Sequence, residues 1–127
     1  MELRQGELVL CKFYFSDLQE SKLRPVVVFK DNLPFDDFIG IPVSSKIAVL
    51  HEDESLIEQA DFLAGTLPKR SKVMVRKTFV ISKLVVIKSY GELSQKRFQQ
   101  LQLDFCHYFG CDCLPKEAPL TSSLNER

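Results

Sequence analysis

Gly6-Glu7-Leu8-Val9-Leu10-Cys11-Lys12-Phe13-Tyr14-Phe15 is rich in branched and aromatic residues, with Val9, Cys11, Phe13 and Phe15 at every second position. A period of two puts these side chains on one face of an extended chain, so the stretch predicts a strand with one face toward a core. It ends at Ser16-Asp17-Leu18-Gln19-Glu20-Ser21-Lys22, which is polar and without periodicity. Arg24-Pro25 then leads into Val26-Val27-Val28-Phe29, a second strand. Proline cannot donate to a ladder, so Pro25 is expected at the beginning or on an edge of this strand, with Arg24 at the mouth of the preceding loop.

Working outward, Asp31-Asn32-Leu33-Pro34 is turn chemistry, and Phe38-Ile39-Gly40-Ile41-Pro42-Val43 reads as a third short strand running into Ser44-Ser45-Lys46. Gly40 points to a bulge or a close backbone approach. Between His51 and Asp61 two readings compete: Leu56, Ile57, Ala60 and Leu63 fit a helical face, whereas Gly65 and Pro68 cut the segment short. Val73 to Ile81 and Leu84 to Ile87 are two more β-rich runs, with Gly91 closing the sheet portion. Ser94 is a predicted N-cap for a helix through Phe109, with Phe98, Leu101, Phe105 and Tyr108 on one stripe, Leu103 off it, and Gly110 at the C-cap. Residues 111–127 carry Cys, Pro and Ser with little to bury, and are expected to be a mobile tail on a domain of residues 1–110. Five or so short strands and one terminal helix, without βαβ alternation, predict a mainly β fold, a small, curled antiparallel barrel closed by a C-terminal helix.

Composition agrees with a single packed domain. The chain has 127 residues, and 17 Lys plus Arg balance 17 Asp plus Glu, so the formal net charge is zero. Ten Phe and many Val, Ile and Leu supply a core without disulfide staples. Neutrality removes the simplest route to nucleic-acid binding, so any such binding needs a local patch. No window approaches the roughly 20 apolar residues that a membrane-spanning helix requires, and the first residues leave no apolar signal core. The expectation is a soluble cytoplasmic protein with reduced cysteines. Cys106, His107, Cys111 and Cys113 cluster late, but one Cys-x-Cys without a second pair is not a usual zinc pattern, and no metal or other cofactor is assigned.

Charge is segregated along the chain. Lys69, Arg70, Lys72, Arg76 and Lys77 lie in a run without an acid, whereas Glu52, Asp53, Glu54, Glu58 and Asp61 lie in one without Lys or Arg. A basic run beside Lys22 and Arg24 suits phosphate binding, and equally suits a solvated face. Arg24 can grip a phosphate bidentately, and Ser44 and Ser45, just after a strand, can offer hydroxyls and backbone N–H groups to a phosphoryl oxygen. There is no Gly-x-Ser-x-Gly elbow and no glycine-rich phosphate loop, and Asp36-Asp37 has no fixed separation for acid–base work.

In order and spacing, Gly6-Glu7-Leu8-Val9-Leu10, Phe15-Ser16-Asp17, Lys22-Leu23-Arg24-Pro25-Val26-Val27-Val28, Ile41-Pro42-Val43-Ser44-Ser45-Lys46, Gly65-Thr66-Leu67-Pro68-Lys69-Arg70-Ser71-Lys72-Val73 and Gly91-Glu92-Leu93-Ser94 resemble the MazF/PemK family of toxin endoribonucleases. The likeness spans about residues 5 to 109. It implies an SH3-like barrel that forms a homodimer, extended chain in the acidic segment, and cleavage of single-stranded RNA without metal. Attack of a ribose 2′-OH would give a 2′,3′-cyclic phosphate and a 5′-OH end. By position, Arg24 and Ser44 are the implied catalytic pair, Ser44 standing where members usually carry Thr. Lys22, Ser45, Lys46, Lys69, Arg70, Lys72 and Arg76 are implied RNA contacts. Arg76 stands where many members carry an acid, which leaves Glu20, Asp17 or a water as candidate bases. A cognate antitoxin is implied as partner, inserting an acidic segment over the basic run. The alternatives are a toxin of the same fold that binds a protein such as DNA gyrase, and a plain RNA-binding module.

Overall fold

The computed structural model describes residues 2–15 and 20–111. Asp17, Cys113 and all of the expected tail beyond Cys111 lie outside the described residues. The chain runs β1 (Glu7–Phe15), β2 (Glu20–Lys30), β3 (Asp37–Ser44), β4 (Glu54–Ile57), β5 (Phe62–Gly65), β6 (Ser71–Met74), β7 (Phe79–Ser82), β8 (Val86–Leu93) and α1 (Gln95–Phe109). The strands form one antiparallel sheet in the order β4-β6-β3-β2-β1-β8-β5, with β7 also pairing to β3. The mainly β fold with a C-terminal helix is thus the one expected, but with eight strands among the described residues rather than about five.

Two features explain the extra strands. Register shifts interrupt β1–β8, β2–β3 and β5–β8 pairing, and bulges of this kind bend a strand and increase its twist, which curls the sheet. Short 3-10 turns also cut what looks continuous in sequence. The run from Val73 to Ile81 is split by a turn at Val75–Lys77, where the Thr78 hydroxyl and N–H both donate to the Val75 carbonyl, at 2.7 and 3.1 Å. β6 and β7 therefore follow one another along the same edge of β3. The acidic segment is extended, as β4 and then β5, and not a helix.

Pro25 corrects the expected strand start, because β2 begins at Glu20 and Pro25 lies in its middle, opposite Leu10 of β1. This is tolerated because β3 pairs with β2 only from Pro42 opposite Val26 back toward the turn, so no partner on that side asks Pro25 for an N–H. The lysine and arginine before Pro25 stand on a strand rather than in a loop. Similarly, β8 continues through Gly91 to Leu93.

Both faces of the sheet are covered, which is why Val26-Val27-Val28 is apolar without alternation. Val27 joins Leu8, Ile41, Val43, Ile57, Val73, Val75 and Leu93 beneath Phe98 and Leu101 of the helix. Val26 and Val28 join Leu3, Val9, Cys11, Phe38 and Ile81 on the other face, with Phe13 packed against them. At Gly40 the chain passes so close to Val26 and Ile81 that a β-carbon would overlap both, the close approach anticipated for this glycine.

The helix matches its expected limits. Ser94 Oγ accepts from the Arg97 N–H at 3.2 Å, and Gly110 ends it in the left-handed region at φ 80°. A helix of this length is marginal alone in water, so its apolar stripe supplies the stability. Phe98 and Leu101 are buried, while Phe105 lies 4.8 Å, centroid to centroid, from Phe29 of β2. Leu103, off the stripe, is exposed.

Candidate functional site: a cationic groove beside the curled sheet

A groove of about 1040 Å³ opens where β3 leaves β2. The last β2–β3 pair is Val26 opposite Pro42, after which β3 pairs with β6 through Val43 and Ser44. Arg24 and Ser44 each stand two residues beyond that last pair, and strand side chains return to the same face at this interval. Both line the groove, as do Ser45 and Lys46 at the end of β3, Lys69 before β6, and Lys77 in the turn after it. Arg24 and Ser44, 20 positions apart in sequence, are brought together here by β2–β3 pairing.

The site is cationic and hydroxyl-bearing. Among the described residues, no carboxylate lines the groove. Nor does Arg24, Lys46, Lys69 or Lys77 form an ion pair with one. Arg24 is exposed, and its guanidinium donates to the neighbouring Leu23 carbonyl at 3.1 Å. Ser44 Oγ accepts from the Lys46 N–H at 3.1 Å, a local turn that fixes the oxygen and leaves its proton available to donate. Phe13, Tyr14, Phe79 and Tyr90 add rings to the lining. Phe79 is backed by Phe13 at 5.8 Å, and the ammonium groups of Lys12 and Lys88 lie over Tyr14 and Tyr90. Fixed cations with flat apolar faces between them can hold an anionic, ring-bearing chain, the cations taking charge and the rings taking planar groups by stacking.

The other expected contacts are not brought into this groove. Lys72 is buried, and its Nζ donates to Glu54 Oε1 at 2.8 Å and to the Val49 carbonyl at 3.0 Å. Arg76 Nη1 donates to Asp53 Oδ1 at 2.7 Å and Glu54 Oε2 at 2.8 Å. Neither side chain lines the groove: Lys72 is met inside the protein by Glu54, and Arg76, at the surface of the turn after β6, is met by Asp53 and Glu54 at the entry to β4. Arg70 pairs with Glu58 at 2.6 Å on the surface. Lys22 is exposed on β2 opposite Phe13 and is not among the lining residues, nor is Glu20 at the start of the same strand. Burial would raise the Glu54 carboxyl, but the His51 N–H, Lys72 and Arg76 overcome it and hold the group at about 2.

Lys77, named in the basic run but not among the implied RNA contacts, and the four aromatic residues are further groove components. Membership of the basic run was the usable signal for Lys77. The placement of Tyr90 had none, since it depends on β8 pairing with β1. Among the described residues, no three His, Cys, Asp or Glu side chains gather as metal ligands, and no helix is long and apolar enough to cross a membrane.

The fold has counterparts among solved structures. A mycobacterial endoribonuclease in complex with its cognate antitoxin superposes with a TM-score of 0.67 at 12% identity, over 90% of this chain and 98% of that one. A second endoribonuclease from a mycobacterial species gives 0.61 at 13% identity, over 84% and 89%. The Mycobacterium tuberculosis toxin MazF-mt6 gives 0.59 at 16% identity, over 80% and 96%. At these identities the likeness is one of fold, and none of the curated proteins matches in sequence. The family model described as "PemK-like, MazF-like toxin of type II toxin-antitoxin system" matches residues 4–109, from just before β1 to the last residue of α1, and the chain belongs to that family.

Proposed function

We propose that this protein is an endoribonuclease toxin that cleaves single-stranded RNA in the groove, without a metal ion. The observation that carries the proposal is the convergence of Arg24 and Ser44 on one groove whose other cations, Lys46, Lys69 and Lys77, lack carboxylate partners among the described residues. The ribose 2′-OH attacks the adjacent phosphorus, the bond from phosphorus to the 5′-oxygen breaks, and the products are a 2′,3′-cyclic phosphate and a 5′-OH end. A water or Asp17 takes the 2′-hydroxyl proton, Glu20 lying outside the groove lining, and the leaving 5′-oxygen gains one from water. Charge develops on the phosphoryl oxygens, where the Arg24 guanidinium and the Ser44 hydroxyl donate. DNA, lacking the 2′-OH, is spared. Lys46, Lys69, Lys77 and Ser45 hold neighbouring phosphates, and the rings take unstacked bases.

The same cations are the landing place for an acidic segment of a cognate antitoxin, which would occlude the groove. The solved relative that is itself in complex with an antitoxin supports that partnership. The working form is a cytoplasmic homodimer. The alternative, a toxin of the same fold that binds a protein such as DNA gyrase, is favoured by Arg76 in place of an acid and predicts capture of a topoisomerase subunit without RNA cleavage.

A defined RNA digested with purified protein in excess chelator tests the proposal. The expected result is cleavage with cyclic phosphate and 5′-OH ends, reduced about 100- to 1000-fold in Arg24→Ala or Ser44→Ala. Intact activity in both folded variants would overturn the residue assignment. Binding of RNA without cleavage would leave a plain RNA-binding module.

A further inference from the structure

The segment that carries Ser44, Ser45 and Lys46 continues to β4 through residues 47–53 with little apolar anchorage, since Ala48, Val49 and Leu50 are all exposed. A loop without buried apolar side chains is held by its polar ties. Here those ties are unusually concentrated. Val49 accepts from Lys72 Nζ at 3.0 Å, and the His51 N–H donates to Glu54 Oε1 at 2.9 Å. The Arg76 backbone N–H donates to Asp53 Oδ2 at 2.9 Å, while its side chain spans Asp53 and Glu54. The Asp53 and Glu54 side chains are 2% and 1% exposed and that of Lys72 is 10%, so the Lys72–Glu54 pair is shielded from the water that weakens surface ion pairs, while Arg76, 35% exposed, reaches the two buried carboxylates from the surface. Lys72 also stands directly opposite Ser44 in the β3–β6 ladder. Its neighbours Ser71 and Met74, with Lys77 in the following turn, line the facing wall of the groove.

We infer that Asp53, Glu54, Lys72 and Arg76 form a positioning unit that clamps the Ser44–Lys46 wall of the groove to the Ser71–Lys77 wall, and that none of the four contacts RNA. The inference rests on the proposed function for its catalytic consequence, but not for its structural one. Lys72 and Arg76 act through the segment they hold, and Glu54 joins them by giving one carboxylate oxygen to each. Ionised Glu54 is essential to the arrangement, because a neutral side chain would leave two cations facing one another with one countercharge removed.

Three variants test this: Glu54→Gln and Arg76→Met, and Asp53→Asn as the gentler change should either of the first two not fold. Amide hydrogen exchange without RNA is the first readout. Exchange is expected to rise at residues 46–52 while β1, β2 and α1 keep their protection, a result that does not depend on nuclease activity. The second readout is kinetic. Cleavage is expected to lose about 10- to 100-fold in kcat, the scale of a small misplacement of reacting groups, with KM changed far less. The salt dependence of RNA binding is expected to keep its slope, whereas loss of a phosphate contact would lower that slope by about one. Arg76→Lys should restore part of kcat. Unchanged exchange at 46–52 in folded variants, or a reduced salt slope, would overturn the inference. Increased exchange there in a protein that cleaves no RNA would uphold the clamp and refute the nuclease reading alone.

Discussion

Removing the charge of Glu54 should cost stability in a way that depends on pH with a definite sign. In the folded chain burial pushes this carboxyl up, but the His51 N–H, Lys72 and Arg76 prevail and bring it to about 2, against 4.5 when free. The unfolded chain therefore takes up the proton first as pH falls. The stabilisation is complete above about pH 4.5 and is lost progressively as pH falls toward 2. The difference corresponds to roughly 3 kcal/mol, which agrees with the roughly 3–5 kcal/mol that breaking a buried pair costs when its partners are left behind. Glu54→Gln should thus be about 3 kcal/mol less stable than the parent at neutral pH. The gap should narrow by up to about 1.4 kcal/mol per pH unit below pH 4.5, and be nearly closed at pH 2, where half of the parent's folded carboxyls have taken up the proton. Urea unfolding of both proteins across this range measures the gap. Subtraction removes the contribution of Asp31, whose carboxyl burial raises but Lys83 and the Asn32 N–H lower further. A gap that stays constant from pH 7 to 2, or that is absent at pH 7, would refute the reasoning.

Gly40→Ala drives a methyl group into Val26 and Ile81, both buried, and should cost at least about 1–3 kcal/mol by overpacking, read as a lowered urea midpoint with unchanged m. Leu101→Ala, at a fully buried position between helix and sheet, should cost about 2–5 kcal/mol in the same assay, whereas Leu103→Ala, exposed on the same helix, should cost far less. Burial raises the Cys11 thiol to about 11, so iodoacetamide at pH 8 should label exposed Cys111 in the native protein and reach Cys11 only on unfolding; equal native labelling by mass spectrometry would contradict this.

The parts of this protein legible in its residues are those governed by short-range physics. The alternation of Val9, Cys11 and Phe13 announced β1, and Ser94, the Phe98–Leu101 stripe and Gly110 gave the helix its limits, because caps and periodicity act within a turn or two of chain. Gly40 announced a close approach, though not which side chains it meets. Arg24 and Ser44 were identified as a pair through family resemblance, and their common groove follows from β2–β3 pairing that no local signal specifies. The turn at Val75–Lys77 was invisible inside a β-rich run, since its hydrogen bonds compete with strand geometry only once β6 and β7 share the edge of β3.

Charge shows the division most clearly. A basic run and an acidic run stand apart in the sequence, and each alone resembles a solvated surface or a binding patch. Whether a given lysine or arginine meets solvent, a ligand or a carboxylate depends on which residues the sheet order β4-β6-β3 sets beside it, 18 to 23 positions away. Local sequence determined β1, the helix and the supply of charge; tertiary pairing alone decided that Lys72 and Arg76 meet Glu54 and Asp53 while Lys69 and Lys77 line the groove. Coulomb attraction acts through space, and only the folded chain sets the distances.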